Sequence, residues 1–469
     1  MLVAALCTAM LVSCVFLDIN QLIPGDDLDT PLEAGSFYAQ NLENEKYYKV
    51  KAELLYEGKK CVIWAEKSAK FPRQMAERIA DEYDTVIRPK IVESFSKKDF
   101  VVKEGDETYS FDDMLDYANW FVGGKDKKLT VLLLDIKDSY NPPKTNSYVA
   151  GYFWGGNFYQ KGHIAGTDHY SNGRDMIYID TYPGLEEQRQ QTYITFAHEL
   201  QHLINFVTTL LLNRKSTMDT WIDEGLSSQA EYIYLGKNPP GKCEWFKEDI
   251  KGTIAQGNNF FVWGNHSDES ILDDYATVYL FFRWLYLQAT PELQSHIFMD
   301  IETSSSYDYE AVTNVAQHIN PVWFNWENLL RTWLAANYYP NNSYGYTGDY
   351  YLQTTITVKP VTGGKISLYP GEGVYSIINN SFSAEPSGNI RYAGLAKDTP
   401  AINTVSPYTG NVLLTFNANA NNTKGSETAA LTNVSPPASQ SSARSIGTGT
   451  LTGPYVIDAR DMLNKNKKR

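Results

Sequence analysis

The chain has 469 residues, 43% of them apolar, with a formal net charge of −14 and a mean hydropathy of −0.38. That length allows two or three domains with a substantial buried core, and the apolar content excludes global disorder. The hydropathy excludes a polytopic membrane protein, and an acidic surface that repels phosphate backbones excludes nucleic acid as an expected partner.

Leu2 to Leu17 is nearly all apolar yet short for a membrane span, as the hydrophobic region of a signal peptide would be. Leu11-Val12-Ser13-Cys14 has the form of a bacterial lipobox, which makes residues 1–14 a signal and Cys14 the expected site of lipidation. A plain cleaved signal is the alternative. Both predict export, either to the cell envelope as a lipoprotein or as a secreted protein, and the 33 tyrosines fit an exported chain. The membrane is then touched only through the N-terminal anchor. Cys61 and Cys243 are the thiols left to pair, and spacing does not decide whether they do. Residues 15–45, with Pro24, Gly25, Asp26, Asp27 and Asp29, are expected to form a tether.

Structure is expected from about Lys46. Val50–Leu55 and Cys61–Ala65 have the pattern of strands joined by a turn at Glu57-Gly58-Lys59-Lys60. Arg73–Phe95 has helical spacing, with Pro89 expected to kink or end it, and Phe111–Phe121 is a second expected helix. Leu129–Ile136 is an apolar run suited to a buried strand. Tyr148–Tyr159 predicts a hairpin or edge strand, and Met176–Asp180 a short strand. Glu186–Leu212 predicts a helix with one side in a core and its histidines facing a cleft. Helices follow at Asp223–Leu235, closed by Gly236, at Asp274–Leu287 and at Trp323–Asn337. Beyond a boundary near residue 345, Thr354–Val358, Lys365–Leu368, Val374–Ile378, Ile390–Ala396 and Val412–Phe416 are short strand-like runs. They predict a small all-β unit over 350–430, followed by a Ser/Thr/Gly-rich tail over 431–469.

The chemistry concentrates in His198-Glu199-Leu200-Gln201-His202. On a helix, residues four apart share a face, so both imidazoles can hold one zinc ion while Glu199 reaches a water bound to it. A hydrolytic zinc site needs a third protein ligand and an open position. A third histidine at metzincin spacing is ruled out, because Asn205 and Thr208 occupy those positions. Glu224, in Trp221-Ile222-Asp223-Glu224-Gly225-Leu226, opens the next helix and is the expected third ligand; an ordinary first-turn carboxylate is the plain alternative. Thr220 and Asp223 have the spacing of a helix capping box. Glu199 is the expected general base, and Tyr275, with Tyr279 one turn along, the expected oxyanion stabiliser. Glu231, seven residues after Glu224, shares its face and could orient His198 or His202.

Ala197 to Asn205, Trp221 to Leu226 and Ala230-Glu231 resemble the hyicolysin family of bacterial neutral metallopeptidases, gluzincins whose third zinc ligand is glutamate. The likeness reaches upstream to Gly151-Tyr152-Phe153 and Met176 to Asp180, downstream to Tyr279 to Phe282, and covers roughly residues 46 to 340. It implies an α+β, thermolysin-like catalytic domain over 46–345, with a mixed sheet, a helical lobe and zinc between them. It also implies His198, His202 and Glu224 as ligands and Glu199 as the catalytic residue. The expected activity is zinc-dependent hydrolysis of protein or peptide substrates by a monomer. The alternatives are an aminopeptidase of the same chemistry, or a non-catalytic adhesin that keeps zinc for stability.

Overall fold

The computed structural model describes residues 28, 30–96, 100–101, 108–109, 128–145, 148–159, 161–212, 216–247, 260–261, 272–338, 345–346, 364–396, 401–420 and 425–431. The expected lipidation site Cys14, the helix expected at Phe111–Phe121, the strand expected at Thr354–Val358 and the tail over 432–469 lie outside these residues.

The fold is α+β. Six strands form a mixed sheet: β1 (Ser36–Gln40), β2 (Tyr47–Glu57), β3 (Cys61–Glu66), β4 (Leu129–Leu134), β5 (Gly151–Phe153) and β6 (Met176–Asp180). Their spatial order is β1-β2-β3-β4-β6-β5. β3, β4 and β6 run parallel, while β1, β2 and β5 pair antiparallel to their neighbours. The uninterrupted apolar run of β4 follows from burial on both faces. Val131 and Leu133 join the core shared with the helices, and Leu132 and Leu134 join a second core with Phe37, Val50 and Tyr178.

Two sequence expectations for this sheet are corrected. The chain joins the sheet at Ser36, ahead of the expected start near Lys46. Gly35 turns the backbone at φ 75°, and Phe37, Tyr38 and Ala39 are then buried against β2. Met176–Asp180, one of two segments considered as the edge along which a substrate could lie, is interior, and the Tyr148–Tyr159 stretch supplies β5, one of the sheet's two edge strands.

Helices α1 (Arg73–Glu82) and α2 (Arg88–Phe95) are joined by one π-helical turn, Tyr83–Ile87. Pro89 does not end the segment. The α-helical pattern is interrupted just before it, where the π-helical turn changes the hydrogen-bond spacing ahead of a residue with no N–H to donate. α3 (Arg189–Phe206) packs on α4 (Thr220–Leu235), on α2, and on strands β5 and β6. Burial surrounds it: every residue from Ile194 to Asn205 is buried, polar ones included. His198 does line a cleft, as expected, but the polar side of the helix is buried beneath α4 and not open. The lobe is completed by α5 (Lys242–Lys247), α6 (Leu272–Gln288), α7 (Ile297–Glu302), α8 (Tyr309–Ile319) and α9 (Trp326–Tyr338). Among the described residues, no helix is long and apolar enough to cross a membrane.

The C-terminal part forms small antiparallel sheets. β7 (Gly364–Leu368) pairs β11 (Glu427–Leu431), and β8 (Gly373–Ile377), β10 (Val412–Asn417) and β9 (Ile390–Leu395) lie side by side, with Ile402–Asn403 at the outside. The hydroxyl of Tyr375 donates to the carbonyl of Leu334 at 2.5 Å, tying β8 to α9. Cys61 and Cys243 are buried and no disulfide joins them.

Candidate metal centre

The site is built where α4 crosses α3. One α-helical turn separates His198 from His202 on α3, so their rings meet edge to face on one side of the helix with centroids 4.7 Å apart. Glu224, near the N-terminal end of α4, enters from the opposite side. His198 Nε2 lies 3.0 Å from His202 Nε2 and 3.2 Å from Glu224 Oε2, and His202 Nε2 lies 3.4 Å from Glu224 Oε2. These three buried residues form a group able to hold a metal ion. The spacings suit it: at metal–ligand bonds near 2.0–2.1 Å, two corners of a tetrahedron are about 3.3 Å apart. The donor set suits a cation, because two imidazole nitrogens and a carboxylate oxygen converge on one point.

On its other side α4 packs against α6 through Gly225. A Cβ there would lie 2.3 Å from the ring of Phe282, so a side chain would force α4 and α6 apart and shift the neighbouring Glu224.

The other ring nitrogen of each histidine is tied down. His198 Nδ1 lies 2.8 Å from Glu231 Oε1, and His202 Nδ1 lies 2.8 Å from Asp223 Oδ1 and 2.9 Å from Ser227 Oγ. With Nδ1–H donating to a carboxylate, Nε2 keeps its lone pair for a metal. Glu231 therefore serves His198, one of the two histidines expected for it. Asp223 does not close a capping box with Thr220: the N-cap of α4 is Asp219, and the Asp223 carboxylate accepts from His202 and from Asn205 Nδ2 at 2.6 Å. Ser227 Oγ also donates to Gln201 Oε1, whose amide nitrogen in turn donates to Glu302 on α7.

Charge and burial compete throughout. Burial resists a charge on His198, but its hydrogen bonds to the Glu224 and Glu231 carboxylates raise its pKa to about 9. For Glu231, burial pushes the pKa upward, and Lys242 followed by His198 more than reverses this, leaving it below the usual carboxylate range. Burial holds Glu302 well above that range despite the hydrogen bond from Gln201, so it keeps its proton to higher pH than an exposed glutamate.

Glu199 is buried one residue beyond His198, and its Oε2 accepts a hydrogen bond of 2.8 Å from the backbone N–H of Phe153 on β5. It lines a cleft together with His198, Gly151 and Tyr275. Tyr279, the second choice for the tyrosine role, points elsewhere: its hydroxyl donates to Asn238 Oδ1 at 2.5 Å.

Sequence reasoning missed Asp223, Ser227, Asn205, Gln201, Lys242 and Glu302 as parts of this network. One signal existed. Asp223, Glu224, Ser227, Ser228 and Glu231 form a polar stripe at helical spacing on a helix otherwise rich in apolar residues. Lys242 and Glu302 arrive from distant segments that carry no such pattern.

No family model matches this chain. The chain is distantly homologous to the neutral metalloprotease ShpI of Staphylococcus hyicus, with 29% identity over 293 residues. The match covers 61% of this chain and 58% of that relative, so it spans little more than half of the relative's length. The chain is thus a metalloprotease homologue with a buried His/His/Glu site able to hold a metal.

Proposed function

We propose that this protein is a zinc-dependent endopeptidase, with His198, His202 and Glu224 as the zinc ligands. The observation that carries the proposal is the convergence of those three buried side chains beside Glu199 at the wall of a cleft. A bound zinc ion would supply Lewis acidity, polarising a substrate carbonyl and acidifying a water molecule. Glu199 then takes the water's proton and passes it to the leaving amine. The bond from Phe153 N–H orients the Glu199 carboxylate for this task. Tyr275, on the cleft wall, donates to the developing oxyanion. Substrate lies as an extended strand along β5, the edge strand beside Glu199.

We further infer that the protein is exported and acts as a monomer. Cys14 would carry a lipid anchor, supported by the apolar run before it.

The test is to purify the full chain, measure its metal content, and follow casein cleavage with and without a chelator. Stoichiometric zinc and chelator-sensitive cleavage that disappears in Glu199→Gln are expected. Unchanged cleavage by that variant would remove Glu199 from the mechanism. Equal cleavage of amine-blocked and free peptides separates an endopeptidase from an aminopeptidase.

A further inference from the structure

Lys242 is an unusual presence in this site. It is buried, it opens the short helix α5 after Pro239-Pro240-Gly241, and it forms part of the cleft wall. Its ammonium lies 3.3 Å from Glu231 Oε1 and donates to Ser228 Oγ at 3.2 Å, so it grips two residues one turn apart on the inner face of α4. It also lies 5.2 Å from the centre of the Tyr275 ring. The oxygen that Lys242 contacts is the same Oε1 that accepts from His198 Nδ1 at 2.8 Å.

A buried ammonium is costly unless paired, and Glu231 is the carboxylate that pairs it. Glu231 is equally in need. Lacking Lys242, its buried carboxylate would keep, among the described residues, the His198 ring as its hydrogen-bond partner.

We propose that Lys242 is a positioning residue for the metal centre. It fixes the carboxylate of Glu231 at the one place from which that group can orient His198. This rests on the reading of His198, His202 and Glu224 as zinc ligands, and extends it to a third layer of side chains that reaches the substrate cleft.

Two physical effects of removing Lys242 oppose each other, which makes the sign of the result decisive. Loss of a positive charge near a divalent cation would tighten metal binding by simple electrostatics. Loss of the tether on Glu231 would loosen it, because partners that orient a ligating histidine typically account for 10- to 100-fold in affinity.

The experiment is competition for zinc between the full-length protein and a chromophoric chelator, for wild type, Lys242→Met, Lys242→Arg, Glu231→Gln and the Lys242→Met/Glu231→Gln pair. Visible absorption of the cobalt-substituted proteins reports ligand geometry. Lys242→Met is expected to weaken zinc binding about tenfold and to shift the cobalt bands. Lys242→Arg should restore both, and in the Glu231→Gln background Lys242→Met should change affinity less than about twofold. Lys242→Gln replaces Lys242→Met should the latter not fold. Folded Lys242→Met that binds zinc as tightly as wild type, or more tightly, overturns the proposal, as does an equal loss in the Glu231→Gln background. Wild-type protein that takes up no zinc would instead sink the reading of the site itself.

Discussion

Helix α3 has two buried sides, and they are built on opposite principles. Toward the sheet and α1–α2 it presents Phe196, Ala197, Leu200 and Ile204, with Phe196 stacked on Tyr83 at 5.1 Å. Toward α4 it presents His198, Gln201, His202 and Asn205, each hydrogen-bonded to a polar partner. The first side stabilises the fold without direction, roughly in proportion to apolar area. The second is weak evidence for stability, since well-packed apolar residues would serve a fold as well. A polar interface of that kind is explained by what it can hold.

That contrast can be broken by separating activity from stability. The largest effect is expected for Glu199→Gln, which should lower kcat/KM on the order of a thousandfold while the melting temperature scarcely moves. Loss of activity accompanied by unfolding would mean that Glu199 belongs to the scaffold. The reverse is expected one position later, on the apolar side. Leu200→Ala, at a fully buried site, should destabilise by about 2–5 kcal/mol in denaturant unfolding and leave zinc stoichiometry intact. A large change in metal content with little loss of stability would erase the distinction between the two sides.

Gly225→Ala probes the contact between α4 and α6 that supports the polar side from behind. The new methyl would contact the Phe282 ring, displacing α4 at a cost of about 1–3 kcal/mol and weakening metal binding through Glu224. Unaltered affinity would show that α4 can shift without moving its ligand.

The smallest expected effect sharpens the comparison through pH. Glu302 stays protonated when folded, whereas an exposed glutamate in the unfolded chain ionises near its ordinary value of 4.5. Its raised folded pKa means that the unfolded state sheds the proton first, so stability falls as pH rises above about 4.5. Asp180, pushed by burial to about 8 despite backbone bonds from Gly184 and Ile136, acts in the same direction between its ordinary 3.8 and about 8. Glu302→Gln keeps the shape and removes the proton, so melting curves should show a gain over wild type at pH 7 that shrinks toward pH 4.5. A gain that grows on acidification contradicts a neutral Glu302.

How much of this was legible in the sequence depended on distance along the chain. His198 and His202 are local, and their spacing alone places them on one face. Glu224 was legible because it opens the next helix, and the structure brings it to both imidazoles. Tyr275 and Tyr279 share a helix face and differ only in depth along the axis, which periodicity does not encode; contacts with Asn238 and the cleft separate them. Lys242 follows two prolines in a loop, and Glu302 lies 101 residues from its partner Gln201, so neither left a local trace. The full burial of α3 was hidden for the same reason: its polar residues look like a solvated face until α4 is laid across them.

The account depends most directly on metal content. Wild-type chain and Glu224→Ala, purified in parallel from zinc-containing medium, should differ by one zinc per chain, with both proteins folded. One zinc retained by Glu224→Ala, or none bound by wild type, would contradict the claim that these three side chains form a metal centre.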